Sequence, residues 1–456
     1  MKRRRSAFLI DWLHERPRKP LVIRGARQVG KTWLIRDFAR SQGLELIELN
    51  FEKRPELESL FASNDPKEIL LNLQTLAKGK INPSASLLFL DEIQAAPKLL
   101  AKLRWFAEDA PELPVIAAGS LLEFALAKHE FSMPVGRINY MYLEPLSFEE
   151  FIEATGRQTL GTYLEQYTWN MTIPLAIHTQ LMKVIKEYVL IGGMPAAVSS
   201  WIQNHNLNKV SQVHFDLLAT YRDDFAKYSG RLPVDRLEEV MAAVPRQLGN
   251  KFVFSRVNSQ VPSPPLKQGL DLLVKAKVCH LVLSTAANGL PMGAEINEKY
   301  KKVVMLDCGL CGVSLGLTMQ QIQSADEIIL INNGAMAEQL VGQTLRTLFP
   351  PYVSPSLYYW QRRAKKANAE IDYAFQFKNE VIPIEVKAGS SGSLKSLHQF
   401  MKEKRKKLAV RVNSDYPSIA PVEVKNGSGE TISYRLLSLP FYLLGQLNRL
   451  LEELSD

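Results

Sequence analysis

Short apolar runs alternate with amphipathic segments over the first third of the chain. The apolar runs have the length of strands, and the segments between them have the period of helices. Strands that alternate with helices predict an α/β fold with a parallel, doubly wound sheet. The runs that we interpret as strands are Leu21–Arg24, Leu44–Leu49, Leu87–Leu90, Val115–Ala118 and Tyr140–Leu143.

The strand signals stop at about residue 161, and the pattern then changes twice more. Leu164–Ile191 and Lys209–Tyr228 are predicted helices around a break at Gly192-Gly193-Met194-Pro195, which we interpret as a helical lid. Next come helix, turn, helix and hairpin, the order of a winged helix, although compact helical adaptors also show it. The last part begins with a helix and continues with strand, strand, helix and strand. The four expected domains are a parallel-sheet core at 1–160, the lid at 161–235, the winged-helix-like part at 236–324 and a C-terminal α/β part at 325–456.

Composition narrows the class of protein. At 456 residues the chain is too long for one hydrophobic core, which agrees with several domains. With 56 Lys and Arg against 47 Asp and Glu, the formal charge of +9 favours a polyanionic partner such as DNA or RNA. Cys308 and Cys311 lack a second pair at metal-ligand spacing, so we interpret them as core thiols. Since no run has the length of a membrane span or a signal peptide, we expect a soluble, cytoplasmic protein without a membrane partner.

The first predicted strand leads into an octet that fits the phosphate-binding loop pattern. An apolar strand precedes it and an amphipathic helix follows, as this pattern requires. Its backbone N–H groups would surround the β- and γ-phosphates of ATP, Lys31 would reach the terminal phosphate, and the Thr32 hydroxyl would ligate Mg²⁺. The residues predicted to bind the nucleotide are Gly25, Ala26, Arg27, Gln28, Val29, Gly30, Lys31, Thr32 and Trp33.

Polar residues follow two further strands and an arginine precedes the last one, and their chemistry predicts ATP hydrolysis. Asp91 is expected at the carboxyl edge of the sheet, where it would hold the hydrated Mg²⁺. Glu92 would then polarise the attacking water as a general base. Ser120 either senses the γ-phosphate or ends its strand in a simple turn. Arg137 is either an arginine finger for a neighbouring subunit, which would require a homo-oligomer, or a surface arginine.

These motifs carry a family resemblance. The segments Gly25–Thr32, Leu88–Gln94, Ala118–Leu122 and Leu143–Phe151 resemble those of a large prokaryotic group of AAA-type ATPases with a C-terminal domain of uncharacterised function. The resemblance extends over nearly the whole chain. It implies a P-loop AAA-type ATPase domain with a helical lid, a winged-helix-like middle domain and a C-terminal α/β domain like that of PD-(D/E)xK nucleases.

Two candidate strands of the C-terminal part carry acidic residues. If the turn between them is centred on Lys378-Asn379, Asp372 faces Glu385 and Glu370 faces Lys387. Two carboxylates side by side are unfavourable unless a cation lies between them, and a divalent metal ion would supply it. In the nuclease pattern Lys387 would orient the water that attacks the phosphodiester. The candidate metal ligands are Asp372, Glu385 and Glu338, the last implied by the resemblance.

Other functions remain open for the C-terminal half. An Asp followed at a distance by Glu-x-Lys is common in long proteins, so an inactive nuclease-like scaffold is the alternative to a working nuclease. We therefore weigh an ATPase coupled to a nucleic-acid-binding module against two rivals. One is a nucleotide-controlled molecular switch. The other is a DNA-binding regulator that acts through the winged helix, whose second main helix has Lys267, Lys275 and Lys277 on or near it.

Overall fold

A computed structural model describes most of the chain, and it divides the chain into two compact units. Unit 1 consists of residues 1–145, 275–277 and 349–354, and unit 2 of all the others. None of the helices in the described part is both long and apolar enough to cross a membrane. The residues described are 1–77, 81–127, 134–228, 230, 232–317, 334–362, 369–387, 394–425 and 431–454.

Unit 1 is built on five strands. They are β1 Leu21–Arg24, β2 Glu45–Asn50, β3 Ser86–Asp91, β4 Val115–Ala118 and β5 Asn139–Tyr142. All neighbours in this sheet are parallel, in the order β2-β3-β4-β1-β5. The five predicted strands and the parallel sheet are thus confirmed. The helices of unit 1 are α1 Ser6–His14, α2 Lys31–Ser41, α3 Pro66–Ala77, α4 Leu99–Asp109 and α5 Leu122–Ala127, with 3₁₀ helices at Pro55–Phe61 and Ile93–Ala95.

Two inner strands of this sheet, β3 and β4, are buried along their whole length. This burial is expected for inner strands of a parallel sheet that is covered on both faces. One face packs against α3 and α4, where Leu88 and Leu90 share a core cluster with Leu73, Leu103 and Phe106. Burial of this kind fixes the strands, and with them the loops that leave their carboxyl ends.

The first part of unit 2 is helical. Its helices are α6 Phe148–Ala154, α7 Gln158–Gln166, α8 Leu175–Ile191, α9 Pro195–Asn204 and α10 Leu207–Tyr228. The break predicted at Gly192–Pro195 is confirmed, since α8 ends before it and α9 begins at Pro195. The single helix predicted over Leu164–Ile191 is wrong, because two helices lie there. Pro174 directly precedes α8, and proline inside a helix loses a hydrogen bond and clashes with the preceding turn.

The second part of unit 2 contains an eight-stranded mixed sheet in the order β12-β13-β11-β10-β9-β8-β6-β7. Its strands are β6 Cys279–Thr285, β7 Ile296–Met305, β8 Leu357–Gln361, β9 Glu370–Phe377, β10 Glu380–Val386, β11 Leu408–Asn413, β12 Ser418–Lys425 and β13 Thr431–Pro440. Its helices are α11 Val234–Arg246, α12 Ser263–Lys275, α13 Cys308–Ser314, α14 Ala335–Thr347, α15 Lys395–Lys404 and α16 Leu447–Glu452, with 3₁₀ helices at Phe254–Arg256, Met292–Glu295 and Phe441–Gln446.

The elements predicted for the middle of the chain are present in the expected order. Helices α11 and α12 precede the hairpin of β6 and β7, whose strands are antiparallel. The hairpin is not a free wing, however, because β6 also pairs in parallel with β8. It therefore forms one edge of the eight-stranded sheet, and the winged-helix interpretation stays a prediction.

A buried carboxylate holds the break between α8 and α9. Asp307 is 0% exposed and accepts hydrogen bonds from Gly193 N at 2.6 Å and from Leu310 N at 3.1 Å. The Gln343 Nε2 atom donates to the same carboxylate at 3.2 Å. These hydrogen bonds connect the break to the start of α13 and to the interior of α14. The Asp307 side chain thus links the helical part of unit 2 to the part that contains the sheet.

The prediction that Cys308 and Cys311 are core thiols is confirmed. Cys279, Cys308 and Cys311 are buried free thiols. Burial is the first cause that raises the pKa of the Cys308 and Cys311 thiols above the ordinary value. The thiols therefore stay protonated and pack as small apolar groups.

Candidate functional sites

The octet Gly25–Thr32 forms the turn between β1 and α2. A Cβ atom at Gly25 would clash with the carbonyl oxygen of Leu143, so only glycine fits there. Helix α2 begins at Lys31, directly after the left-handed Gly30, and no side chain caps it. The first N–H groups of a helix have no partner within the helix, and they are the groups that bind phosphate in loops of this kind.

Arg3 ties this loop to the chain that leaves β5. Its two terminal nitrogens donate to Val29 O at 2.8 Å and to Glu144 O at 2.6 Å. The side chain is buried. Together with the close approach of Gly25 to Leu143, this contact fastens the phosphate loop to residues 143–144 at two points.

Lys31 lies inside the loop. Its side chain is 7% exposed, and Nζ donates to Ala26 O at 2.8 Å and to Gly25 O at 3.1 Å. Burial lowers the pKa of Lys31 to about 8, although the charges of Glu92 and Asp91 act in the opposite direction. A buried ammonium whose hydrogen-bond partners are neutral carbonyls is suited to receive an anion, since charge-assisted hydrogen bonds are the stronger ones.

Thr32 and Asp91 bring two side chains with oxygen atoms into contact. The Thr32 hydroxyl donates to the Asp91 carboxylate, and Oγ1 lies 3.3 Å from Oδ1 and 3.2 Å from Oδ2. Asn50 Nδ2 also donates to Asp91 Oδ2, at 3.2 Å. Asp91 is 4% exposed. Burial and then the charge of Glu92 raise the pKa of Asp91 to about 6. A partly buried hydroxyl next to a buried carboxylate at this edge fits Mg²⁺, which prefers oxygen ligands and would neutralise the carboxylate.

Glu92 is held at the end of β3 in a strained conformation. Its φ angle is 51°, which is uncommon for a residue with a side chain. Gln94 Nε2 donates to Glu92 Oε2 at 2.6 Å. The other polar atom of Gln94 lies so close to Gly119 that a Cβ atom there would clash with it. Gln94 thus lies between Glu92 and the turn that contains Ser120.

The sheet register places these residues at one edge. Asp91 pairs with Asn50 on one side and with Ala118 on the other, and Ser120 follows two residues later. Because all five strands are parallel, the octet leaves β1 at the same edge. Trp33, in the first turn of α2, is among the exposed large apolar residues.

Arg137 lies at the opposite edge of the sheet. Asn139, two residues later, pairs with Leu21 at the start of β1, whereas the octet follows the end of β1. Arg137 Nε donates to Glu108 Oε1 at 2.7 Å, and half of its side chain is exposed. The structure therefore does not bring Arg137 to the phosphate loop of its own chain.

Sequence reasoning missed three residues of this site. Asn50 ends a predicted strand, but its neighbour in the sheet follows only from the strand order, which no local pattern reveals. Gln94 lies in the segment Leu88–Gln94, which carries the family resemblance, yet its contact with Glu92 depends on the left-handed backbone conformation of Glu92. Arg3 lies far before the loop in sequence, and its contacts with Val29 and Glu144 depend on the folded chain.

The predicted C-terminal hairpin is present as β9 and β10, and its register is confirmed. Glu380 pairs with Phe377, and Ile384 pairs with Tyr373, so the turn is centred on Lys378-Asn379. Asp372 and Glu385 lie one step beyond the last of these pairs. Asp372 Oδ2 accepts a hydrogen bond from Val386 N at 2.8 Å.

The cation beside these carboxylates is Lys302 of β7, which sequence reasoning did not identify. Lys302 Nζ lies 2.8 Å from Glu370 Oε1, 3.3 Å from Glu338 Oε2 and 3.6 Å from Asp372 Oδ1. Its side chain is 4% exposed. No group of three or more His, Cys, Asp or Glu residues in the described part of the chain is arranged to hold a metal ion. Glu338, Asp372 and Glu385 as they lie here do not fit a divalent metal.

Glu385 forms an ion pair with Lys387. Lys387 Nζ lies 2.8 Å from Glu385 Oε1. Burial and then the charge of Asp372 raise the pKa of Glu385 to about 7. The same two causes raise the pKa of Glu338 to about 8. Lys387, predicted to orient a nucleophilic water, is engaged with Glu385 in this arrangement.

Residues 17–152 match the family described as the AAA domain. Residues 182–321 and 333–416 match two families described as domains of unknown function, DUF8612 and DUF4143. A comparison with curated proteins finds no match.

Similar solved structures include the Walker-type ATPase of Pyrococcus abyssi, which is 17% identical to this chain and has a TM-score of 0.41. The match covers 68% of this chain and 94% of that chain. They also include the ORC2 protein of Aeropyrum pernix in its ADPNP–ADP complexes, with 10% identity, 67% and 88% covered, and a TM-score of 0.31. For C. elegans PCH-2 the identity is 10%, the coverage 45% and 66%, and the TM-score 0.28.

Proposed function

We propose that this chain, whose residues 17–152 match the AAA domain family, binds ATP with Mg²⁺ and hydrolyses the bond between its β- and γ-phosphates, releasing ADP and phosphate. The observation that carries the proposal is the contact of Thr32 Oγ1 with Asp91, next to the buried ammonium of Lys31 at the start of α2. Backbone N–H donors, an ammonium and a pair of oxygen ligands thus occur together. A magnesium-bound triphosphate requires this combination of groups.

In this proposal each side chain has one task. Mg²⁺ supplies charge neutralisation on the β- and γ-phosphates. Thr32 and Asp91 hold the metal ion, and Lys31 contacts the terminal phosphate. Glu92 accepts a proton from the attacking water, and Ser120 contacts the γ-phosphate at the end of β4.

We further propose that the nucleotide state controls unit 2, which binds nucleic acid. The chain returns to unit 1 at residues 275–277 and again at 349–354, so several covalent connections are available to carry a change between the units. The formal charge of +9 favours a polyanion as the partner. A nucleotide-controlled switch without nucleic acid is the rival, and the experiment below separates the two.

ATP turnover by the full chain, measured with and without DNA or RNA, tests both parts of this proposal. We expect phosphate release that depends on Mg²⁺ and that rises when nucleic acid is added. Raising the salt concentration from about 50 to 200 mM should weaken nucleic-acid binding steeply, because bound counterions are released from each neutralised phosphate.

Lys31→Ala provides the inactive variant, and Lys53→Ala, a change of an exposed lysine in unit 1, is its matched control. We expect Lys31→Ala to lower turnover by about 100-fold or more, as for removal of a group that stabilises charge in the transition state. Equal turnover in Lys31→Ala and the wild type would contradict the ATPase. Turnover unaffected by nucleic acid, together with salt-independent binding, would favour the switch.

We propose that Arg137 acts on the nucleotide of a neighbouring copy. Its place at the far edge of the sheet and its half-exposed side chain support a role between subunits. Arg137→Ala keeps Glu92, and Glu92→Gln keeps Arg137. We therefore expect each variant to be inactive and a 1:1 mixture of them to recover about a quarter of the wild-type turnover, since mixed closed oligomers place intact partners together by chance.

The matched control is Arg104→Ala, because Arg104 also pairs with Glu108, at 3.1 Å. It should retain wild-type turnover. Full activity of Arg137→Ala alone, or a mixture no more active than its components, would show that Arg137 is a surface residue.

A further inference from the structure

Lys302 lies in a site that is built around an ammonium group. Carboxylate oxygens of Glu338, Glu370 and Asp372 lie within 3.6 Å of its Nζ atom. The ring of the buried Tyr359 lies on another side, 5.5 Å from Nζ to the ring centroid, a distance at which a cation is attracted to an aromatic face. Three carboxyl groups and one ring thus surround a single buried positive charge.

The charges around this site nearly cancel. Four carboxylates take part, and three ammonium groups face them. Lys302 bridges three of the carboxylates, Lys387 pairs with Glu385 at 2.8 Å, and Lys251 lies 3.9 Å from Glu370. A divalent ion would add two positive charges beside a buried ammonium, and like charges in a buried site repel each other strongly.

The carboxylates are also engaged in other ways. Asp372 Oδ2 accepts the Val386 N–H group, and a Cβ atom at Gly249 would lie only 2.9 Å from Glu338 Oε1, so Glu338 is closely packed. One oxygen, Glu385 Oε2, is buried without a hydrogen-bond partner among the described residues. A single free oxygen is far from the octahedral set of ligands that Mg²⁺ requires.

We infer that the Lys302 ammonium takes the place of a divalent metal ion in unit 2, so that the nuclease-like carboxylates hold the sheet together and do not cleave phosphodiesters. The cluster joins β7 to β9, which are not neighbours in the sheet, and to α14 through Glu338. The inference concerns unit 2 alone and does not depend on ATP hydrolysis in unit 1. Nucleic acid bound by unit 2 would be held without being cut.

The test is Mn²⁺ binding to the full chain without nucleotide, measured by calorimetry. We expect the wild type and Asp372→Asn to bind Mn²⁺ equally, whatever the ion does elsewhere. Lys302→Gln should gain an additional Mn²⁺ site, with binding at least about tenfold tighter than in the wild type, because removing the ammonium leaves carboxylates without a cation. Adding Asp372→Asn to Lys302→Gln should abolish the gain.

Lys299→Gln, a change of an exposed lysine on the same strand, is the matched control and should gain no site. The comparison of wild type with Asp372→Asn is decisive even if Lys302→Gln does not fold. Wild-type Mn²⁺ binding that Asp372→Asn weakens would overturn the inference. Mn²⁺-dependent cleavage of DNA or RNA that requires Asp372 would overturn it as well, whereas equal, background cleavage by both proteins supports it.

Discussion

Glu92→Gln will retain MgATP and lose turnover by about 100-fold or more, the contribution expected of a general base. Glutamine has nearly the same shape as glutamate, but its amide does not accept a proton at neutral pH. The amide oxygen can still accept the Gln94 Nε2 hydrogen bond that glutamate accepts at 2.6 Å. In the proposed site, nucleotide binding would depend on the loop, Lys31 and Thr32, which the substitution leaves unchanged.

Two measurements separate binding from chemistry in this variant. Titration with a fluorescent ATP analogue should give an affinity close to that of the wild type, and phosphate release should fall to background. Glu58→Gln changes an exposed glutamate of unit 1 and should behave as the wild type. Full turnover in Glu92→Gln would mean that another group activates the water.

Asp307→Ala will destabilise unit 2 by about 3 kcal/mol or more. The substitution leaves Gly193 N, Leu310 N and Gln343 Nε2 without their acceptor in a site that is 0% exposed. A buried donor without a partner costs about 1–3 kcal/mol, and here three donors are affected. The loss corresponds to a fall of about 5 °C or more in the midpoint of thermal unfolding.

Circular dichroism during heating measures this fall, and Asp271→Ala is its control because Asp271 is exposed on α12. The loss should be local as well as global. Amide exchange should increase first in the segment around Gly192 and Gly193, where α8 gives way to α9. An unchanged midpoint would show that water or another side chain replaces the carboxylate.

Local patterns were sufficient for much of unit 1. Each of its strands is an apolar run that stands out from the amphipathic helices beside it, and β1 and β4 have the bounds that the runs predict. The phosphate loop is recognisable because its chemistry lies in eight consecutive residues. Asp91 follows from the same logic, since a carboxylate that ends a buried strand must emerge at the sheet edge.

Contacts between distant parts of the chain were not predictable in this way. The hairpin register places Asp372 beside Glu385 and shows that a cation is needed there, but not which one. Lys302 comes from β7, which reaches this cluster only because the whole eight-stranded sheet is assembled. The break between α7 and α8, by contrast, was predictable from the sequence, because Pro174 interrupts the predicted helix Leu164–Ile191.

The double attachment of the phosphate loop to residues 143–144 has a consequence for the proposed coupling between nucleotide and unit 2. Arg3 acts as a strut between Val29 and Glu144, and Gly25 touches the carbonyl group of Leu143. Unit 1 gives way to unit 2 one residue beyond Glu144, after Pro145. If the loop closes on the phosphates of ATP as proposed, it would therefore also move residues 143–144, and nucleotide binding would shift the segment through which the chain passes into unit 2.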